Sequence, residues 1–97
     1  RASAMLHTRM IAHGAVQGVG FRAFACRIGQ SLSLVGYAKN LDDGTVEILA
    51  EGDERQIDEF SRRLKIRLPY GIHVEKLETV EKKEIKAKSF ASFSPAY

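Results

Sequence analysis

Ninety-seven residues, 44% apolar and 28% charged, suffice for one folded domain spanning 1–97 and leave nothing for a second. No apolar run approaches the roughly 20 residues of a membrane helix, so no membrane partner is expected. A net charge of +3 suits a small anionic ligand, but its basic residues are too scattered to argue for nucleic acid. The first residues lead into no apolar leader, and Arg1 to Ala4 read as a frayed or appended end. The lone Cys26 excludes an internal disulfide, favours a reducing, cytoplasmic setting, and reads as a small apolar filler on a helix.

Met5 to Ala12 predicts a first strand, nearly free of breakers and closed by glycine. Gly14, Gly18 and Gly20 then fall within seven residues and exclude a regular element. Phe24, Ile28 and Leu32 recur every fourth residue, predicting an amphipathic helix from about Arg22 to Ser33 with Arg27, Gln30 and Ser31 on its wet side. Gly29 inside that helix is expected to cost about 1 kcal/mol relative to alanine. Val35 to Leu41 reads as a strand, Asp42-Asp43-Gly44 as a hairpin turn with Gly44 left-handed, and Thr45 to Glu51 as the returning strand.

Gly52 is expected to end that strand. Asp53 then caps a second helix, with Glu54 in its first turn and Ile57, Phe60 and Leu64 as its buried stripe. After a loop over Leu68 to Gly71, Ile72 to Val80 forms a strand. Its apolar spacing slips from two to three after Val74, which predicts a β-bulge. Lys82 to Ser89 reads as a charged, exposed loop and Phe90 to Ser94 as a short last strand, beside a Pro95 that fits only an edge. Two basic clusters, Arg62, Arg63, Lys65 and Arg67, and Lys82, Lys83, Lys86 and Lys88, read as solvated surface. The order βαββαβ implies an α+β two-layer sandwich of the ferredoxin-like kind. Its mixed, mostly antiparallel sheet carries both helices on one face, leaves the other mostly exposed, and ends in a short C-terminal edge strand.

The informative stretch is Gly14-Ala15-Val16-Gln17-Gly18-Val19-Gly20-Phe21-Arg22, between a strand end and a helix start. A glycine-rich turn there can aim successive backbone N–H groups into one concavity, and the helix N-terminus adds unpaired donors and a positive dipole end. Arg22 supplies planar paired donors that match phosphate oxygens. An arginine at this end of a helix opposes the dipole, so either it is solvated or an anion accompanies it. The segment is neither a GxxxxGK[ST] loop nor, with Ala23 following, a strict GxGxxG.

Asn40, just before the hairpin turn, is out of place in a strand. Either its amide bonds the turn backbone, or it orients a water, accepting one proton and donating another without titrating; spacing alone favours the first. Asp42 and Asp43 read as turn residues, and His7, His13 and His73 have no metal-ligand spacing.

At these residues the sequence resembles the acylphosphatase family. One signature is Gly14-x-Val16-Gln17-Gly18-Val19-x-Phe21-Arg22; the other is Gly36-Tyr37-Ala38-Lys39-Asn40, three residues, Gly44-x-Val46, five residues, Gly52. The resemblance covers nearly the whole chain. It implies hydrolysis of a carboxylic–phosphoric mixed anhydride, with Arg22 binding phosphate, Asn40 orienting water, and Ala15, Val16, Gln17, Gly18, Val19 and Gly20 forming the phosphate cradle. It implies no cofactor, no metal and no covalent phosphoenzyme, and a monomer acting on a small acyl phosphate. Three positions depart from the family: Ala12 is smaller than usual, Ser33 stands where glycine is common, and Pro95 replaces a β-branched residue.

Two other readings compete. An RNA-binding βαββαβ domain needs aromatics on its central strands, and Thr45 to Glu51 has none. The module also resembles the N-terminal piece of hydrogenase-maturation carbamoyltransferases; the absence of a linker after Tyr97 favours a free-standing enzyme.

Overall fold

The structure, a computed structural model, describes residues 4–18, 20–65 and 71–97. Its elements are β1 (Met5–Ala15), α1 (Phe21–Ser31), β2 (Val35–Asn40), β3 (Val46–Asp53), α2 (Glu54–Lys65), β4 (His73–Glu84) and β5 (Phe93–Ala96). One five-stranded sheet has the order β4-β1-β3-β2-β5, antiparallel except for β2 and β5. The expected α+β sandwich is therefore present. Most of the Leu68 to Gly71 loop lies outside the described residues, as do Arg1, Ala2 and Ser3. Ala4 is not frayed: its carbonyl accepts the Glu54 amide at 2.9 Å.

Strand alternation divides the sheet cleanly. Leu6, Met10 and Ala12 on β1, Ala38 on β2, and Val46, Ile48 and Ala50 on β3 form the face under the helices, each buried in the core with Ile57, Phe60 and Leu64 of α2. The Asp53 cap forms as expected, its carboxylate accepting the Arg55 amide at 2.8 Å. The bulge expected after Val74 is also present. His13 pairs with Lys76 and Gly14 with Val74, leaving Glu75 extra; a second shift falls at Val80.

Several expectations need correction. The α1 stripe is Phe21, Ala25, Cys26 and Gly29, with Phe24 and Ile28 packing alongside. Gly29 is no defect: a Cβ there would lie 2.5 Å from the Phe93 ring, so the glycine admits the side chain that anchors β5. That ring is fully buried, 5.5 Å from Phe60, and Gln30, exposed as expected, donates its side-chain amide to the Phe93 carbonyl at 2.7 Å. The last strand thus starts three residues later than the pattern suggested. Pro95 does sit on an edge strand. Gly52 does not break β3, which runs on to Asp53.

The open face differs most from expectation. Residues 82–84 extend β4, and residues 85–92 connect one sheet edge to the other. Within that connection the Ser89 amide and hydroxyl donate to the Glu51 carboxylate at 2.6 and 2.8 Å, and Phe90 meets Tyr37 edge-on at 5.8 Å. Glu51 beneath this connection is 1% exposed, and Glu47, bonded by Arg9 and Tyr37, is 8% exposed, on a face expected to be mostly exposed.

Candidate active site

The site forms where β1, β2 and β5 end and α1 begins. Gly18 and Gly20 are left-handed, at φ +75 and +79, and open space surrounds the position of any Cβ. That conformation is costly for residues with a Cβ, so glycine here sets the chain's path. Gly20 is the N-cap of α1 and has no side-chain cap bond, and no acidic residue lies in the first turn. The first helical amides therefore keep their unspent donors and positive dipole end facing the loop.

Arg22 is half-buried one residue inside α1. Its Nη1 donates to the Ala96 carbonyl at 2.9 Å, and its guanidinium lies 4.6 Å from the centre of the Tyr97 ring. Both contacts come from β5 and the residue after it, which together fix the side chain beside the loop. Asn40 is the last residue of β2 and pairs with Val46. In line with Gly36 and Ala38 it points to the helix side of the sheet, toward Arg22 rather than toward the open face. Its Oδ1 is buried and has no hydrogen-bond partner among the described residues. A buried acceptor left unpaired costs about 1–3 kcal/mol, so it is suited to take a donor from a bound molecule.

These groups share one cleft of about 200 Å³, lined by Val16, Gly18, Gly20, Phe21, Arg22, Ala23, Asn40, Pro95 and Tyr97. That volume is below the ~300–1,000 Å³ of sites enclosing drug-sized ligands and suits a phosphoryl group with most of its substituent outside. Of the residues expected in the loop, Val16, Gly18 and Gly20 line the cleft; Val19 lies outside the described residues. Val16 is a buried anchor whose amide bonds back to the Gly14 carbonyl at 3.0 Å. Ala15 belongs to β1, paired with His73. Gln17 turns away, toward the β2–β3 turn. Pro95 and Tyr97 were not anticipated as lining residues, because the register of β5 hangs on Phe93 inserting above Gly29.

His7 and His13 are engaged away from the cleft. His7 Nδ1 meets Glu51 at 2.6 Å, and His13 Nε2 meets Glu78 at 3.2 Å. Burial pushes the Cys26 thiol up to about 11, which its bond with the Ala38 backbone and the charge of Arg22 only partly offset. Cys26 is therefore a protonated core residue, as the sequence suggested. Among the described residues no helix is long and apolar enough to cross a membrane.

Fold and cleft define the class: a ferredoxin-like sandwich presenting a helix N-terminus and a guanidinium to one small anion-sized space. Residues 8–94 match the family model of the acylphosphatases. An acylphosphatase of Archaeoglobus fulgidus is 38% identical over 93 residues, covering 96% of this chain and 100% of the relative. The crystal structure of an acylphosphatase from Bacillus subtilis matches with a TM-score of 0.81 at 38% identity, over 95% of this chain and 99% of the other. The crystal structure of full-length HypF in its phosphate- and nucleotide-bound form matches with a TM-score of 0.81 at 28% identity, over 100% of this chain and 12% of HypF. The chain belongs to the acylphosphatase family, and it is a hydrolase of acyl phosphates.

Proposed function

We propose that Arg22 and the amides of the phosphate-binding loop hold the phosphoryl group while Asn40 aims a water at phosphorus, in line with the departing carboxylate. The observation that carries this reading is the buried Oδ1 of Asn40, unpaired among the described residues, on the same cleft as Arg22. Phosphoryl transfer asks mainly for positioning and charge stabilisation. The water oxygen bonds to phosphorus, the P–O bond to the acyl group breaks, and its electron pair leaves with the carboxylate. A carboxylate is a weak base, so it needs no proton from the enzyme. The water's proton passes to a phosphate oxygen, which removes the need for a basic side chain. Arg22 and the peptide donors stabilise the equatorial oxygens, and Asn40 supplies an acceptor that never titrates.

The same reading includes a metal-independent reaction with no cofactor, in a single domain over 1–97 that acts as a cytoplasmic monomer. The lone, buried thiol agrees with a reducing setting. Nucleic acid is not a partner on this reading. The connection over 85–92 covers part of the sheet face on which bases would stack, and β3 offers them no aromatic ring.

The test is hydrolysis of benzoyl phosphate with chelator present, by wild type, Arg22→Gln and Asn40→Ala. Wild type is expected to turn over regardless of chelator. Arg22→Gln loses phosphate affinity and about 3 kcal/mol of barrier stabilisation, roughly a hundredfold in rate. Asn40→Ala loses turnover but keeps competitive inhibition by inorganic phosphate. Chelator-sensitive turnover, or full activity in both variants, overturns the assignment.

A further inference from the structure

Gln17 is a loop residue whose side chain avoids the cleft. Its Nε2 donates both hydrogens to the hairpin that follows Asn40, one to the Leu41 carbonyl and one to the Thr45 carbonyl, each at 2.8 Å. Those carbonyls close the mouth of the β2–β3 turn: the Leu41 amide donates to Thr45 O at 2.9 Å and the Gly44 amide to Leu41 O at 3.2 Å. The turn is itself fixed, because the Asp43 carboxylate accepts the Thr45 amide and hydroxyl at 3.0 and 2.5 Å. The loop that carries the peptide donors and the strand end that carries the amide acceptor are 24 residues apart in sequence. This side chain bonds one to the other beside the cleft.

Resting on the hydrolase reading above, we infer that Gln17 is a positioning residue: its side-chain amide fixes the distance between the phosphate loop and Asn40, and hence the line from water to phosphorus. A carboxamide suits the task because it presents two N–H donors and no charge to two carbonyls. Chemistry of this kind is sensitive to displacement, and a shift of about 1 Å can lower a rate by about a hundredfold. Phosphate contact rests on other groups, so the loss belongs in turnover rather than in anion affinity.

The experiment compares wild type, Gln17→Met, Asn40→Ala and the double variant on benzoyl phosphate, with inhibition by inorganic phosphate measured for each. Methionine keeps the length and removes both donors. Gln17→Met is expected to lower kcat by about tenfold or more while the inhibition constant for phosphate moves by less than about threefold. In the Asn40→Ala background the same change costs less than about threefold, because the distance it guards no longer matters. Thermal unfolding establishes that each variant is folded. Should Gln17→Met fail to fold, Gln17→Asn, which keeps the amide one methylene shorter, takes its place with the same expectations. Equal losses in both backgrounds mark a merely structural residue and overturn the inference. Weakened phosphate inhibition with kcat kept marks a direct ligand and overturns it too. An inactive wild type would instead sink the hydrolase reading beneath it, whereas an active wild type, an impaired Asn40→Ala and an unaffected Gln17→Met sink the positioning role alone.

Discussion

The two faces of the sheet are built from the same strands by opposite means. Under the helices, Met10, Ile48 and Ala50 are held by shape and exclusion of water. On the other face, Arg9, Glu47 and Tyr37 form one bonded group, while His7, Glu51, Glu81 and Ser89 form another beneath the 85–92 connection. The first face tolerates a change when volume is conserved. The second tolerates one only when every polar group keeps a partner.

The largest expected effect is at Glu51, the carboxylate at the centre of the second face. Glu51→Ala strips the Ser89 amide and His7 of their shared acceptor and frees the connection. Removing one member of such a buried set costs about 3 kcal/mol, read as a lower urea midpoint. Burial raises the Glu51 carboxyl, but the bonds from His7 and from the Ser89 amide and hydroxyl outweigh it and leave it below its ordinary 4.5. A depressed folded value means the stabilisation is whole above that ordinary value and is lost as pH falls through the folded one. The gap between wild type and Glu51→Ala therefore narrows below about pH 4.5. A gap of constant size from pH 7 to 3 would place this residue with the shape-held face instead.

Next comes Gly29, where the helix face admits no addition. Intrinsic helix propensity says Gly29→Ala gains about 1 kcal/mol. The Phe93 ring, 2.5 Å from the would-be Cβ, says otherwise. Overpacking costs about 1–3 kcal/mol, and Phe93 cannot retreat without moving β5, whose Ala96 carbonyl holds Arg22. The variant is expected to be less stable by about 1 kcal/mol net and to lose affinity for inorganic phosphate. A more stable protein with unchanged phosphate inhibition would show that β5 adjusts freely.

The contrast between the faces also explains what the sequence made legible. Alternation in Val46, Ile48 and Ala50, and the Ile57, Phe60 and Leu64 stripe, reported the helix side because burial there is a property of each element. Glu47 and Glu51 looked wet because their cover comes from residues far along the chain. Phe93 was misplaced relative to its strand for the same reason: only the gap at Gly29 fixes it. In the cleft, Arg22 and the glycines stood out locally as an ill-placed charge and a broken element. Asn40 carried an unread signal: it continues the Gly36, Ala38 alternation onto the buried side, where a strand-end amide has no reason to be unless it binds something. Gln17 had no local signal at all, since its partners, Leu41 and Thr45, lie across a helix and a strand in sequence.

The smallest expected effect lies outside both faces, where α1 ends. Ser33 is left-handed, at φ 60, and the turn is closed by the Leu34 amide on the Gly29 carbonyl at 2.9 Å and the Ser33 amide on Gln30 at 3.1 Å. That double bond pattern is the one glycine usually terminates. Serine in this conformation stores about 1–2 kcal/mol of strain, and its side chain is exposed. Ser33→Gly relieves the strain, while the freer unfolded chain takes back about 0.5–1 kcal/mol. The net gain is about 0.5 kcal/mol, or roughly 2–4 °C in Tm for a domain this size. A double variant with Gly29→Ala is expected to be non-additive, because Gly29 supplies the carbonyl that closes this same turn.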